Sequence, residues 1–347
     1  MIFNHPLQDE HAGHIPPAGI LNKALFPPTA ADVLSFLQYT MEPAVGNRLI
    51  PVVKFAGKVP AYSGNMLEVH FNKKENNVDF AARLHAYFDK EIVAGVRVKR
   101  QQHLPPFIPG VYASLIEQNK SRFAHGIENI WVEYDAPFNG TPAVFFDISR
   151  NHPFCPEAAY DCLQQVTSAA GYCINGHLPK FLEQIRQAGL YIVYYGLMFS
   201  RESHSIRLTI NGITAARLAD ALAGLGWKGN YRALEKIRST YLSGEQKLVV
   251  GVDFGNCLEN RIGIEVFDGN EAAFIRKLYY NRHISQADCR LLSAWKQSLT
   301  LPDNLSTALT NLHQRPVSNL YTRLNHFKFV LDDTEVTTAK GYLYYCF

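Results

Sequence analysis

Residues 248–267 read LVVGVDFGNCLENRIGIEVF, and this stretch decides the fold. Two runs of strict alternation flank the turn residues GNCLEN. One face of the two runs carries the apolar side chains of Leu248, Val250, Val252, Phe254, Ile262, Ile264 and Val266. The other face carries Asp253, Arg261 and Glu265, with glycines between them. Alternation of this length predicts an antiparallel hairpin whose two faces meet different environments.

The same pattern recurs along the chain and predicts about five hairpins, each separated from the next by about two helices. The other four are predicted at Leu49–Phe55 with Met66–Asn72, Ile130–Asp135 with Ala143–Ile148, Tyr191–Phe199 with Ser205–Asn211, and Asn325–Leu331 with Ala339–Phe347. The first two hairpins are separated by a helix that starts at Asn77 or Asp79 and ends near Ile92, and by a second helix near 111–118. A polar link with Pro302 and Pro316 precedes the last hairpin.

These elements predict an α+β fold, a ten-stranded antiparallel β-barrel built from five αββα-type units and surrounded by α-helices. Hairpins give antiparallel pairs, so a doubly wound parallel sheet is excluded. The amphipathic helices cover the apolar faces, and closing the sheet removes its exposed edges. A barrel of ten strands is too wide for side chains to fill, so a central chamber follows. We expect an N-terminal arm or lid over residues 1–28 and one barrel domain over 29–347.

Composition and charge exclude several classes of protein. The 347 residues are 47% hydrophobic and 19% charged, which is a globular balance, and a net charge of +3 does not indicate nucleic-acid binding. No run approaches the ~20 apolar residues of a membrane helix, and the first residues lack the order of a signal peptide. The six cysteines show neither a CxxC pair nor zinc spacing. We therefore expect a cytoplasmic protein with reduced thiols and no metal ligands of its own.

The polar faces of the strands would line the chamber and bring charged and aromatic side chains together. Basic residues that could converge on a polyanion such as diphosphate are Lys54, Arg207, Arg261, Lys328 and Lys340. Rings that could shield a carbocation are Trp131, Tyr342, Tyr344, and Tyr194 or Tyr195 according to strand register. The candidate acid–base residues are Glu68, Glu133 and His70, because an isolated carboxylate can accept the proton that an aromatic nucleophile loses. The alternative is that these charges only pair with one another across the lumen.

The order of these elements resembles the ABBA, or PT-barrel, prenyltransferases, and most of all the cyanobactin-type peptide prenyltransferases. Some members of that group end in a Tyr-rich strand and a terminal Phe, as KGYLYYCF does here. The resemblance implies Mg²⁺-assisted transfer of a prenyl group from its diphosphate to a side chain of a ribosomal precursor or cyclic peptide. It assigns the basic residues to the diphosphate, the rings to the cation and a glutamate to the base.

The sequence departs from that family in its second hairpin, which carries acidic residues where the family places basic ones. Two other functions therefore stay open. One is a peptide-modifying enzyme of different chemistry, such as a lyase or cyclase, on the same barrel. The other is a non-catalytic barrel that binds a leader peptide or a small ligand.

Overall fold

A computed structural model of the chain describes residues 27–71, 77–85, 127–148, 155–169, 171, 174, 176–199, 205–333 and 338–347. Its centre is an antiparallel sheet that closes into a barrel. The strands are β1 (Gly64–His70), β2 (Val78–His85), β3 (Ile127–Tyr134), β4 (Ala143–Ile148), β5 (Tyr191–Leu197), β6 (Ile206–Thr214), β7 (Lys247–Phe254), β8 (Leu258–Val266), β9 (Gln297–Thr300), β10 (Asn319–Leu331) and β11 (Thr338–Cys346).

Closure of the barrel depends on β11, which pairs with β1 on one side and with β10 on the other. Ten strands form the ring, and the short β9 extends the sheet beside the first residues of β10. Because every strand of the ring has two neighbours, no long unpaired edge is exposed. The ten-stranded antiparallel barrel expected from the sequence is therefore confirmed.

The described helices lie around this barrel. They are α1 (Ala30–Thr40), α2 (Glu42–Val45), α3 (Ile50–Ala56), α4 (Pro156–Ala169), α5 (Leu178–Gln187), α6 (Leu218–Gly224), α7 (Tyr231–Tyr241), α8 (Glu271–Tyr280), α9 (Gln286–Ala294) and α10 (Asp303–His313). Short 3-10 turns at Gly46–Leu49 and Ala215–Arg217 lead into α3 and α6.

The core lies between the helices and the outer face of the sheet. The apolar positions of the opening stretch are buried there, and Val250, Val252 and Ile264 are completely excluded from solvent. Helix rings pack on strand rings: Phe274 stacks on Phe327 with centroids 4.7 Å apart, and Phe181 stacks on Phe254 at 4.5 Å. Burial of each such side chain is worth roughly 1.5–3 kcal/mol, so the apolar outer face stabilises the ring and leaves polar side chains inside.

The first predicted hairpin and the helix predicted after it were wrong. Residues Ile50–Ala56 form helix α3, and β1 pairs instead with β2, in the segment where a helix was expected. The β-branched run in LIPVVKFA favours a strand by propensity, and the residues AARL in β2 favour a helix. Cross-strand pairing with β1 and β3 overrides that local preference in β2.

The other four hairpins were predicted correctly, with ends that differ by a few residues. The helix predicted near 111–118 lies outside the described residues. The segment predicted as a polar link contains α10.

The predicted arm, residues 1–28, falls almost entirely outside the described residues, and the proposed domain boundary stays a prediction. Four cysteines within the described residues, Cys155, Cys257, Cys289 and Cys346, are free thiols. No helix in the described part of the chain is long and apolar enough to cross a membrane.

Candidate active site

A cavity of about 460 Å³ opens at the end of the barrel where the hairpins turn. Its walls bring together eight of the residues predicted for the site: Glu68, His70, Glu133, Arg207, Arg261, Lys328, Lys340 and Tyr342. They come from six different strands, because alternate residues of each strand face inward. Carboxylates that the sequence did not assign to the site, Asp79, Asp135 and Asp332, line the same cavity.

Glu68 is the most heavily bonded side chain of the site. One of its carboxylate oxygens accepts from the Lys340 ammonium and the other accepts from the Tyr342 hydroxyl. Burial opposes ionisation, but the charge of Lys340 and the hydrogen bond from His70 hold the pKa of Glu68 well below its usual range. Glu68 is therefore ionised, and its oxygens are already occupied.

His70 joins Glu68 to Asp79 across the β1–β2 hairpin. Its Nε2 lies 2.5 Å from Asp79 Oδ2 and 3.1 Å from Glu68 Oε1. Burial lowers the pKa of His70, but hydrogen bonds to Asp79 and Glu68 outweigh it, and the net shift is upward. The second oxygen of Asp79 accepts from the backbone N–H of Ala136 at 2.8 Å. His70 is thus held in place between two carboxylates, which favour its protonated form.

Glu133 is the second predicted carboxylate and lies in a different electrostatic setting. It is half-buried on β3, and its carboxyl has no hydrogen-bond or ion-pair partner in the described part of the chain. Burial, followed by the negative charges of Glu68 and Asp135, raises the pKa of Glu133 to about 8. The two glutamates that line one cavity therefore have pKa values shifted in opposite directions, down for Glu68 and up to about 8 for Glu133.

Three of the predicted basic residues are engaged by carboxylates. Arg207 donates two hydrogen bonds to Asp253, at 2.7 and 2.5 Å, and Lys328 Nζ lies 3.4 Å from Glu265 Oε1. Lys340 is bound to Glu68. Buried pairs of this kind are costly to break, about 3–5 kcal/mol when one partner is removed. Arg261, which lines the cavity, has no ion-pair partner among the described residues.

Lys54 does not belong to this group, and its prediction was wrong. It lies exposed near the end of helix α3, outside the lumen, because Ile50–Ala56 is helical rather than extended.

A second basic cluster, which the sequence analysis missed, lies towards the other end of the barrel strands, where Arg83 is half-buried and Arg323 is exposed. The guanidinium carbons of Arg83 and Arg323 lie 5.4 and 4.9 Å from the ring centre of Tyr344, and Arg83 is also 5.9 Å from the ring of Trp131. Neither arginine has a carboxylate partner in the described part of the chain, and the buried Arg83 Nε has no acceptor there. We call Arg83, Arg323, Tyr344 and Trp131 the arginine–aromatic cluster.

The arginine–aromatic cluster is separated from the Glu68 group along the barrel axis. Arg83 follows Asp79 by four residues on β2, a rise of about 13 Å in an extended strand. Side chains in a strand alternate between its two faces, so a strand assignment for β2 would have shown that Arg83 and Asp79 lie on the same face. The prediction of a helix there hid that signal, and Arg323 lay before the predicted start of its strand.

The predicted aromatic residues divide between the lumen and the core. Tyr342 lines the cavity and stacks on His326 with centroids 4.1 Å apart, and Trp131 contacts Tyr344 edge-on at 6.4 Å. The hydroxyl of Tyr194 donates to Asp147 at 3.4 Å. Tyr195 was predicted as an alternative lumen residue, but the strand register buries it in the outer core instead. The prediction of Tyr195 as a lumen residue was therefore wrong.

The Mg²⁺ implied by the resemblance needs oxygen ligands. Among the described residues, Glu68, His70 and Asp79 have potential ligand atoms within 4.8 Å of one another. The oxygens of both carboxylates already accept from Lys340, Tyr342, His70 and Ala136. This set does not fit Mg²⁺ without being rearranged.

The fold was compared with those of known proteins. No family model matches the chain, and no curated protein matches it. The crystal structure of 5-dimethylallyltryptophan synthase from Streptomyces coelicolor is similar, with 11% identity and a TM-score of 0.53 over 90% of this chain and 96% of that one. The apo form of prenyltransferase PriB is 12% identical, with a TM-score of 0.48 over 82% of this chain and 80% of that one.

The fold is therefore that of the ABBA, or PT-barrel, prenyltransferases. The first of these structures supports that statement, since its match covers nearly the whole of both chains. At 11% identity the likeness is one of fold alone.

Proposed function

We propose that this protein transfers a prenyl group from its diphosphate to a nucleophile on a peptide inside the barrel. The proposal is carried by two groups of residues on the barrel strands. Arg83 and Arg323 have no carboxylate partner among the described residues and lie beside aromatic rings, and further along the strands Glu133 has a pKa raised to about 8. The similar fold of 5-dimethylallyltryptophan synthase, whose name describes the formation of a dimethylallylated tryptophan, supports the proposal.

In this proposal the diphosphate binds at Arg83 and Arg323, not at the basic residues favoured by the sequence. Arg207, Lys328 and Lys340 are paired with carboxylates, whereas Arg83 and Arg323 have no carboxylate partner among the residues that the structure describes. Guanidinium groups match phosphate oxygens in bidentate geometry. Arg261 and the paired basic residues are weaker candidates for binding the diphosphate.

The prenyl chain would extend from the arginines past the rings of Trp131 and Tyr344. As the C–O bond breaks, its electron pair leaves with the diphosphate, and the rings face the allylic cation with their electron-rich surfaces. Glu133 follows Trp131 by two residues on the same face of β3, a rise of about 7 Å. An acceptor that enters from the cavity would thus meet the cation beside Glu133.

Glu133 is the proposed base, because Glu68 is committed to Lys340, Tyr342 and His70. The new bond forms between the allylic carbon and the nucleophile, and the proton that the nucleophile loses passes to the Glu133 carboxylate. A pKa of about 8 lies close to neutral pH, where a general base is most efficient. His70 then acts as a positioning residue for Glu68 and Asp79.

The test measures binding of dimethylallyl S-thiolodiphosphate by calorimetry, with and without Mg²⁺. Replacing Arg83→Met or Arg323→Met should weaken binding about 10- to 100-fold, the loss of one charged hydrogen-bonding group. Arg238→Met is the matched control, because this arginine is exposed on α7 and pairs with Glu235. The accompanying assay mixes dimethylallyl diphosphate with peptides that contain Trp, Tyr, His or Arg and follows mass gain in isoprene steps.

Failure of the wild-type protein to bind the analogue, with Mg²⁺ and without it, would contradict the proposal. A non-catalytic peptide-binding barrel is the second candidate, favoured by the pairing of three lumen cations with carboxylates. That candidate predicts peptide binding that Glu133→Gln leaves unchanged and no mass gain.

A further inference from the structure

Gly64 on β1 lies between the two strands that carry Arg83 and Tyr344. It pairs with Arg83 of β2 on one side and with Cys346 of β11 on the other, and Tyr344 is two residues from Cys346 on the same face. Cross-strand neighbours on one face of a sheet have Cβ atoms about 4.5–5.5 Å apart. A side chain at position 64 would therefore point into the space that Arg83 and Tyr344 occupy.

The backbone conformation at position 64 does not require a glycine. The described glycines with positive φ are Gly171, Gly189, Gly212 and Gly226, so Gly64 has the ordinary backbone of a strand, which any residue can adopt. A glycine in the interior of a strand weakens it, and often marks a place where another group approaches closely. The neighbouring space, and not the chain conformation, therefore explains this glycine.

That space is filled by the guanidinium of Arg83 and the hydroxyl of Tyr344. A Cβ at position 64 would lie 2.8 Å from Arg83 Nη2, 2.9 Å from Arg83 Cζ and 2.6 Å from Tyr344 Oη. All three distances are well below the ~3.5–4.0 Å of a favourable contact. The guanidinium thus lies against the backbone of Gly64, with its carbon 5.4 Å from the ring centre of Tyr344 and 5.9 Å from that of Trp131.

Gly251 on β7 faces the lumen without this crowding. Its cross-strand partner on β8 is Gly263, which lines the cavity. A Cβ at position 251 would lie 3.8 Å from Gly263 O and 3.9 Å from Arg207 Cδ, which are ordinary contacts. A glycine on the inner face of this barrel is therefore not always a site of close approach, and Gly64 differs from Gly251 in the groups beside it.

We propose that Gly64 is a positioning residue for the diphosphate site, because it leaves the room in which the Arg83 guanidinium lies beside Trp131 and Tyr344. This inference rests on the proposed prenyl transfer and adds a residue that acts through Arg83. A methyl group at position 64 would displace the ends of flexible side chains, and Arg83 is half-buried. These ends can move without a change in the outer core, so the loss falls on ligand binding rather than on folding.

Calorimetry with dimethylallyl S-thiolodiphosphate tests this role in wild type, Gly64→Ala, Arg83→Met and the double variant. Gly64→Ala should weaken binding at least about fivefold, a part of the 10- to 100-fold loss expected for Arg83→Met. In the Arg83→Met background the same substitution should cost less, because the group that it displaces is gone. Gly251→Ala is the matched control and should bind the analogue as tightly as wild type does.

Position and stability are measured on the same variants without ligand. In a crystal structure of Gly64→Ala, the Arg83 guanidinium should lie on the order of 1 Å from its wild-type position, the shift that restores van der Waals contact. The urea unfolding midpoint should stay within about 0.5 M of wild type. The inference is overturned by unchanged affinity, by an equal loss with and without the Arg83 side chain, by a guanidinium that has not moved, or by failure of Gly64→Ala to fold.

The two proposals fail in different ways. If wild type does not bind the thiolodiphosphate, yet the guanidinium is displaced in Gly64→Ala, the transferase is overturned and the positioning of Arg83 by Gly64 is supported. If wild type binds the thiolodiphosphate and Gly64→Ala binds it equally well, the diphosphate site is supported and the role of Gly64 is overturned.

Discussion

At the scale of single residues, the two glutamates of the lumen show how position sets chemistry. Glu68 on β1 and Glu133 on β3 line the same cavity, and from the sequence alone they were equal candidates for the base. Glu68 is bound by Lys340, Tyr342 and His70, whereas Glu133 lies near other carboxylates. Groups whose environments push their pKa values apart commonly divide acid and base roles. Here the structure favours Glu133 for proton exchange.

The raised pKa of Glu133 predicts a stability effect that depends on pH. Its pKa is about 8 in the folded protein and near 4.5 when unfolded, so the folded state binds the extra proton between these values. Stability from this group is therefore complete below about 4.5 and is lost as pH rises towards 8. Glu133→Gln should gain stability over wild type, by at least about 1 kcal/mol more at pH 8.5 than at pH 4.5.

Urea unfolding at the two pH values measures this difference, with Glu245→Gln as the control. The control should show nearly the same small change at both values, because Glu245 is exposed. A Glu133→Gln effect that does not grow with pH would show that the carboxyl ionises normally in the folded protein.

At the scale of elements, the β1–β2 hairpin separates what local sequence indicates from what pairing imposes. In β2 the outward residues Phe80, Ala82 and Leu84 are buried, and the inward positions hold Asp79 and Arg83. That alternation is typical of a strand, but the short helix-favouring run AARL masks it. Because β2 is a strand, Asp79 contacts His70 and Arg83 contacts Tyr344. The helix predicted for this segment would not have indicated either contact.

Gly341 on β11 gives a prediction at this scale. A Cβ at this position would lie 2.7 Å from Phe71 Cζ and 3.2 Å from Leu292 Cδ2, both on buried side chains between the sheet and α9. We expect Gly341→Ala to destabilise the protein by about 1–3 kcal/mol, the usual cost of overpacking. Urea unfolding checks this value.

Gly140→Ala is the matched control, because no heavy atom lies within 4 Å of its added methyl group. It should change stability by no more than about 0.5 kcal/mol. If the two substitutions have equal effects, β11 and α9 are not packed as closely as described.

At the scale of the whole molecule, one strand closes the ring. β11 contributes Lys340, Tyr342 and Tyr344 to the lumen and pairs along its length with β1 and β10. Closure therefore creates the interior and completes the site at the same time. Helices cover the outer face, so the polar lumen is what remains for ligands.

Removal of residues 338–347 tests this dependence on closure. We expect the truncated chain to lose its cooperative thermal transition and to aggregate, because β1 and β10 become exposed edges. Calorimetry and size-exclusion chromatography are the measurements. Cys346→Ala, which keeps every backbone hydrogen bond of β11, should remain monomeric in the same way as wild type. A truncated protein with a sharp transition would show that the ring is stable when open.

Alternation of apolar and polar residues in four correctly predicted hairpins, together with β1, was enough to predict an antiparallel barrel with a charged, aromatic interior, although the first hairpin was predicted from the wrong partner strand. It also placed Glu68, Glu133, Arg207, Lys328 and Tyr342 on the inner face, since side-chain direction in a strand repeats every two residues. Only the tertiary structure decided which charges are already paired, that Arg83 and Arg323 have no carboxylate partner in the described part of the chain, and that Lys54 lies outside the lumen. Ion pairs and pKa values depend on through-space neighbours such as Arg207 and Asp253, 46 residues apart. Local sequence does not encode those distances.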